Sequence, residues 1–174
     1  MSGRGEERGV ADSVAATAAL PEDGWAAFGE FYGFEYPRMV RVAVLVTGSL
    51  ETAQDVVQDS FVGVWRRWGL LRDPAGYLYR SVVNGCRSHH RRSARERRFK
   101  ALSSSESAAS AAPVRDELLD ALATLPYRQR AALVLRFYDD LSEADAAAML
   151  GCRPGTVGSL VHRGLQQLKR VIEL

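Results

Sequence analysis

Residues 141–172 read LSEADAAAMLGCRPGTVGSLVHRGLQQLKRVI and carry the boundary signals of two consecutive helices. Ser142 is a typical N-cap, with Asp145 three residues later as its capping-box partner. Gly151 is the residue usually found just past a helix C-terminus, and Pro154 suits the first turn of the next helix. This arrangement predicts a helix-turn-helix, whose second helix enters the major groove of DNA. An ordinary antiparallel helix pair is the alternative, and the polar start of the second helix favours DNA binding over it.

The second of these helices divides into an apolar stripe and a polar face. Helical spacing predicts that its buried stripe is made of Val157, Val161, Leu165, Leu168 and Ile172. The other residues of the helix lie elsewhere on its surface: Gly155, Thr156, Ser159, His162, Arg163 and Gln166.

The remaining sequence is also helical in pattern, and it divides at a low-complexity stretch. Residues 101–113, ALSSSESAASAAP, are small and polar and lack a hydrophobic period. The only β-like run, 40–47, has apolar residues on several faces and is interpreted as a buried helix. We therefore expect an all-α chain of two helical domains joined by a flexible linker. The predicted parts are a flexible arm at 1–20, a first domain at 21–98, a linker at 99–115 and a second domain at 116–174.

Within the first domain, two long helices follow the buried run. The helix from Leu50 has an apolar stripe of Ala53, Val56, Val57, Phe61, Val64, Trp65 and Trp68, and Ser60 is predicted to lie off that stripe. A second helix is expected from 75 to about 95. Leu78, Val82 and Cys86 can face the core from its first half. Its second half has almost nothing to bury, so it must be solvated or face a polyanion.

Charge is distributed unevenly along the chain although the net charge is only +2. Residues 60–100 hold 11 basic and 2 acidic side chains, whereas residues 1–59 hold 4 basic and 10 acidic ones. A smaller basic block, 152–174, follows an acidic one. This pattern indicates two polyanion-binding faces on segments that also present a different surface. Arginine suits contacts to phosphate and guanine, although a GC-rich genome would also explain why arginine predominates.

Four motifs together resemble the extracytoplasmic-function sigma factors of the sigma-70 family. The stretch from Leu141 to Ser159 resembles region 4.2, and Leu125-Pro-Tyr-Arg-Gln-Arg-Ala-Ala-Leu-Val-Leu135 resembles region 4.1. Ala53-Gln-Asp-Val-Val-Gln-Asp-Ser-Phe61 resembles region 2.2, and Tyr77-Leu-Tyr-Arg-Ser-Val-Val-Asn84 resembles the start of the promoter-melting helix. The motifs occur in the family's order across about residues 25–172.

The resemblance implies two macromolecular partners, core RNA polymerase and promoter DNA, and it allows for an anti-sigma factor. In the family, the region 2.2 helix binds a coiled coil of the largest polymerase subunit. By motif match, the candidate contacts here are Asp55, Gln58 and Asp59. Without the resemblance, the same three residues would be interpreted as an ordinary solvated face.

The resemblance also implies how DNA is opened and read. Asn84 matches the asparagine at a pocket that traps an unstacked base of the −10 element, and its alternative role is that of a structural helix residue. Candidate phosphate contacts beside it are Arg80, Arg87, Arg91 and Arg92. The loop 70–74 corresponds to a specificity loop and is somewhat short. For the −35 element, the resemblance implies base and phosphate contacts by Arg153, Thr156, Ser159, His162 and Arg163. The chain departs from the family at Gly158 and Leu160, where basic residues are common, and the loss of two cations should weaken phosphate contact. Arg153 offers a replacement cation.

Other functions are disfavoured by what the sequence contains. No phosphate-binding glycine loop or catalytic triad motif is visible, and the basic region holds only Asp73 and Glu96 for a nuclease metal site, so we expect no enzyme activity. Cys86, His89 and His90 form an incomplete zinc pattern, and we expect neither metal nor cofactor.

Without a transmembrane run or a convincing signal peptide, we expect a cytoplasmic protein that does not bind membranes. A stand-alone helix-turn-helix regulator is the alternative function.

Overall fold

The computed structural model describes residues 22–102 and 117–172. These residues form helices and connecting turns, without a strand in either range. Helices α1 (Glu22–Thr47), α2 (Leu50–Trp65) and α3 (Pro74–Leu102) make the first domain. Helices α4 (Glu117–Ala123), α5 (Tyr127–Leu133), α6 (Glu143–Leu150) and α7 (Pro154–Ile172) make the second. The all-α, two-domain prediction is confirmed, while the predicted arm and most of the linker lie outside the described residues.

Helix α1 contains the predicted buried helix of residues 40–47 and extends far upstream of it, through Pro37. A proline inside a helix leaves the carbonyl four residues earlier without its hydrogen bond. Here that carbonyl belongs to Gly33, and both Gly33 and Pro37 are exposed, so water can reach it. The proline is therefore tolerated on the outer face while Met39, Val42 and Val46 are buried on the inner one.

Helix α2 begins at a cap and buries the predicted stripe. Ser49 Oγ accepts a hydrogen bond from the backbone N–H of Thr52 at 3.3 Å. Phe61 and four smaller residues of the stripe are buried, and both tryptophans are half-buried. The prediction for Ser60 was wrong: it is buried, because its hydroxyl donates to the Val56 carbonyl at 2.8 Å and needs no water.

The helix-turn-helix has the predicted boundaries. Ser142 Oγ accepts from the Asp145 backbone N–H at 3.1 Å, and Gly151 ends α6 in the left-handed conformation with φ 60°. Before this motif, α5 continues as a π-helical turn over Val134–Tyr138. The chain then reverses through Asp140, whose φ is 50°.

The predicted buried stripe of α7 was only partly right. Val157 is buried, but Leu165 is 41% and Ile172 73% exposed. Leu160 and Gly164 are buried in their place. The cause is the close packing of α5 against α7. A side chain added at Gly164 would begin only 2.8 Å from Leu133 Cδ1, so α5 lies directly against the backbone of α7 at this glycine. This contact turns the face of α7 that carries Leu160 toward the core.

The two domains pack against each other through a shared core. One continuous cluster of buried side chains includes Met39 and Val82 of the first domain and Leu135 and Val157 of the second. Leu45 of α1 packs against a smaller cluster of the second domain. Helix α3 also runs to Leu102, beyond the predicted domain boundary at residue 98.

Candidate nucleic-acid and polymerase interface

The outer face of α2 presents Asp55, Gln58 and Asp59, all exposed. The two carboxylates line a groove of about 570 Å³ between α2 and α3, whose opposite wall includes Asn84 and Arg92. Gln58 instead borders an aromatic groove of about 310 Å³ between α1 and α2. The structure therefore places the candidate polymerase contacts on one helix face but divides them between two grooves.

Helix α3 places four of the five candidate −10 residues in one sector. At about 100° of rotation per residue, Arg80, Asn84, Arg87 and Arg91 fall within about 60° of each other. Three of them are exposed and Arg87 is half-buried. Arg92 lies on a different face, in the groove shared with α2. The sector combines an amide that can read a base edge with guanidinium groups that can hold phosphates.

The loop before α3 is held by its own side chain. Asp73 Oδ1 accepts the backbone N–H of Gly76 at 2.8 Å, which satisfies a donor at the start of the helix. A side chain at Gly76 would begin 1.9 Å from Asp73 Oδ2, so another residue there would force the carboxylate to move. Leu70, in the same connection, is 84% exposed.

The second element of the helix-turn-helix presents the candidate −35 residues together. Ser159, His162 and Arg163 are exposed on one face of α7, Thr156 is half-buried beside them, and Arg153 is exposed on the turn. Neighbouring groups order this face: Arg163 Nε donates to the Ser159 carbonyl at 3.2 Å, and His162 Nε2 lies 3.0 Å from Gln166 Nε2.

The positions at which the chain departs from the family do not weaken this face equally. Leu160 is only 7% exposed, so it belongs to the core and is not available to a phosphate. Gly158 lies beside α6, where a side chain would begin 3.2 Å from Glu143 Oε1. Of the two departures, Leu160 therefore removes no exposed side chain from this face in the structure.

A third set of residues lies on the face of α3 that meets the second domain. Sequence reasoning expected Cys86 to face a core but missed the rest of this face. Tyr79, Val83, Cys86 and His90 recur there at intervals of four, three and four residues, the spacing of a helix face. The His90 ring stacks on Tyr127 with centroids 4.4 Å apart. This spacing was a usable signal, although the second half of α3 was expected to bury almost nothing.

Burial at this boundary shifts the pKa values of three residues of α3. Burial raises the pKa of the Cys86 thiol to about 12. Burial also raises the pKa of the Tyr79 hydroxyl, and the hydrogen bond that this hydroxyl donates to the Asp139 carboxylate adds to the rise. For His90, burial and then the nearby Arg97 and Arg130 lower the pKa below 6.5. All three shifts favour the uncharged form.

Two negative findings apply to the described ranges. No helix within residues 22–102 or 117–172 is long and apolar enough to cross a membrane. In the same ranges, no three histidine, cysteine, aspartate or glutamate side chains are grouped so as to hold a metal ion.

Comparisons with known proteins identify the family. Residues 32–96 match the model of sigma-70 region 2, and residues 115–168 match that of sigma-70 region 4. The chain is 32% identical to the ECF RNA polymerase sigma factor SigM of Mycobacterium tuberculosis, over 95% of this chain and 86% of that protein. It is 30% identical to the RNA polymerase sigma-E factor of Streptomyces avermitilis, over 84% of this chain and 85% of that one.

Solved structures share the fold. The sigma factor RpoE of Bartonella quintana, solved in complex with the anti-sigma factor NepR, superposes with a TM-score of 0.68 at 24% identity, covering 85% of this chain and 98% of that one. CnrH, solved with the cytosolic domain of CnrY, gives a TM-score of 0.59 at 23% identity, covering 86% of this chain and 89% of that one. With the motifs in α2, α3 and α5–α7, these matches identify the chain as a member of the extracytoplasmic-function group of the sigma-70 family.

Proposed function

We propose that this sigma factor uses three separate surfaces in transcription initiation. The outer face of α2 binds core RNA polymerase, the exposed sector of α3 binds and melts the −10 element, and α7 reads the −35 element. The observation that supports this division most directly is the segregation of charge. The polar and acidic face of α2 and the arginine-bearing sector of α3 belong to one domain, so each can meet a different partner.

Promoter melting in this proposal requires no covalent chemistry. Asn84 captures an unstacked base, and the capture offsets the few kcal/mol that unstacking costs. Arg80, Arg87 and Arg91 hold the phosphates of the separated strand, while Arg92 extends the contact into the groove beside α2. The protein acts in the cytoplasm and is not itself an enzyme.

Anti-sigma control is a further part of the proposal. One similar structure was solved in complex with the anti-sigma factor NepR, and another with the cytosolic domain of CnrY. The alternative function, a stand-alone regulator of duplex operators, has no support from the comparisons, because the region 2 match covers the domain that such a regulator would not need.

Transcription in vitro with core polymerase and a promoter library tests the function. Polymerase with this chain should start from a defined set of promoters that polymerase alone ignores. Gln58→Ala combined with Asp59→Ala should reduce recovery of core polymerase in a pull-down without loss of helicity, because both side chains are exposed. Glu96→Ala, an exposed carboxylate on α3, is the control. Core affinity that is unchanged in the double variant would contradict the placement on α2.

A further inference from the structure

The boundary between the domains is fastened by a buried carboxylate. Asp139, at the end of the π-helical turn, has a side chain only 3% exposed. Its Oδ2 accepts the Tyr79 hydroxyl at 2.6 Å, and its Oδ1 lies 3.5 Å from Nη2 of Arg38. One carboxylate of the second domain therefore joins α3 and α1 of the first, through contacts 60 and 101 residues apart in sequence.

The same boundary also involves the proposed DNA-binding surfaces. Arg87 on α3 reaches the turn of the helix-turn-helix, where its Nη1 lies 2.7 Å from the point at which a side chain on Gly151 would begin. Arg87 and Arg91 line a cleft of about 400 Å³ together with Leu150 of α6 and Leu160 of α7. In this arrangement two arginines of the proposed −10 surface line one side of the cleft, and residues of the second domain, including two from the helix-turn-helix, line the other.

Such a closed chain cannot serve a whole promoter. The positions that name the −10 and −35 elements lie about 25 base pairs apart, or about 85 Å at about 3.4 Å per base pair. A compact chain of this length has a radius of gyration of only about 16 Å. Simultaneous binding of both elements therefore requires the domains to separate at the boundary that Asp139 fastens.

We propose that Asp139 is an interdomain latch, which holds the free chain in a closed state that must open before both promoter elements can be bound. The consequence for promoters rests on the proposed function, whereas the latch itself does not. Removal of the charge leaves the buried Tyr79 hydroxyl and Arg38 without their ionised acceptor, and bonds to charged groups are the stronger ones.

The cleft also contains an opposing force that makes the latch reversible. Arg87, Arg91 and Arg128 line it together, and among the described residues none of the three forms an ion pair. Like charges gathered on both sides of a cleft repel each other, most strongly at low salt. A polyanion such as promoter DNA would relieve this repulsion by binding the same arginines in the open state.

Cys86 provides a native reporter of opening. Its thiol is 1% exposed on the α3 face that meets the second domain, close enough to Tyr127 for its charge to affect the pKa of that hydroxyl. In a Cys152→Ser background it is the single thiol of the chain. Its rate of reaction with an aromatic disulfide reagent then follows the population of the open state, provided that opening and closing are fast.

The experiment compares two neighbouring carboxylates in the free protein, without polymerase or DNA. Asp139→Asn should accelerate the trapping of Cys86 about tenfold or more, the factor expected for loss of a charged hydrogen bond. Asp140→Asn is the matched control, because Asp140 is exposed and asparagine tolerates its positive φ. It should leave the rate unchanged. Circular dichroism verifies that both variants remain helical.

Equal trapping rates in Asp139→Asn and Asp140→Asn would overturn the latch. If Asp139→Asn fails to fold, Tyr79→Phe is tested in its place, since it removes the hydroxyl that donates to Asp139 at 2.6 Å and keeps the aromatic ring. It should accelerate trapping severalfold, and a rate equal to that of the parent would also overturn the proposal. The proposed function is tested separately by transcription with core polymerase. If the trapping rates agree with the latch but no promoter-specific transcription occurs, the proposed function fails and the latch does not.

Discussion

Helices α3 and α7 both carry side chains that we propose contact DNA, but they differ in the number of surfaces each must serve. Helix α7 has one buried face, centred on Val157 and Leu160, and one polar face. Helix α3 has three different faces. Leu78 faces the first domain's core, Tyr79 faces the second domain, and Asn84 faces solvent. The comparison indicates that α7 can serve its proposed DNA contact alone, whereas the proposed DNA-binding sector of α3 shares its helix with the boundary between the domains.

The largest expected effect tests whether the two domains unfold as one unit. Leu78→Ala and Leu135→Ala each empty a fully buried site, one in each domain, and both sites belong to the same cluster. Each should lower the free energy of unfolding by about 2–5 kcal/mol. Because the core is continuous, urea unfolding followed by hydrogen exchange should report the same loss in both domains. Destabilisation confined to the mutated domain would show that the closed packing is weaker than the structure implies.

The next effect separates the readout of a base from the holding of a phosphate on α3. Asn84→Ala should lose about 1–3 kcal/mol of discrimination at one −10 base on pre-melted promoter DNA, with −35 recognition intact. Arg91→Ala should weaken holoenzyme binding almost uniformly across sequences and reduce the salt slope by about one. The measurement is holoenzyme affinity for duplex and pre-melted templates at several salt concentrations.

This pair of variants also has a clear contrary outcome. If both substitutions shift affinity in parallel on every template, Asn84 is a structural helix residue and not a base reader. Because Asn84 also lines the groove between α2 and α3, unchanged helicity must accompany the measurement.

Local chemistry made the helix-turn-helix predictable from sequence. Ser142, Gly151 and Pro154 act within one turn of the helix ends they set, so their meaning does not depend on the rest of the chain. The exposed face of α7 was predictable for a related reason, because helical periodicity separates polar from apolar residues. The rotation of α7 about its own axis could not be predicted, because it depends on Leu133 packing over the backbone at Gly164.

The contacts between the domains could not be predicted, because they join residues remote in sequence. Nothing near Tyr79 indicates that its hydroxyl meets a carboxylate 60 residues away. Asp139 and Asp140 look equivalent in the sequence, yet one is buried and the other exposed, because the reversal at Asp140 directs their side chains differently. Tertiary packing also determined that Ser60 is buried. Its hydroxyl donates a hydrogen bond to a carbonyl of its own helix, so burial does not leave the hydroxyl unsatisfied.

The smallest expected effect concerns pH at the domain boundary. His90 stacks on Tyr127, and its pKa is lowered by burial and by Arg97, Arg130 and His89. The open or unfolded chain therefore binds a proton more readily than the closed one. The resulting stability is fully present above about pH 6.5 and is lost as the pH falls through 6.5 toward the lowered pKa. Three other arginines, Arg87, Arg91 and Arg128, line the same cleft as His90.

The measurement is the urea midpoint of the parent and of His90→Gln between pH 7.5 and 5.5. The parent midpoint should fall more steeply with decreasing pH than that of His90→Gln, because only the parent has an imidazole to protonate at the boundary. The difference should be small, since His90 is only half-buried and water screens its neighbours. His162→Gln removes an exposed histidine of α7 and should follow the parent. If His90→Gln and His162→Gln change the pH dependence equally, the boundary does not sense His90 protonation, and the coupling of α3 to domain position rests on Asp139 alone.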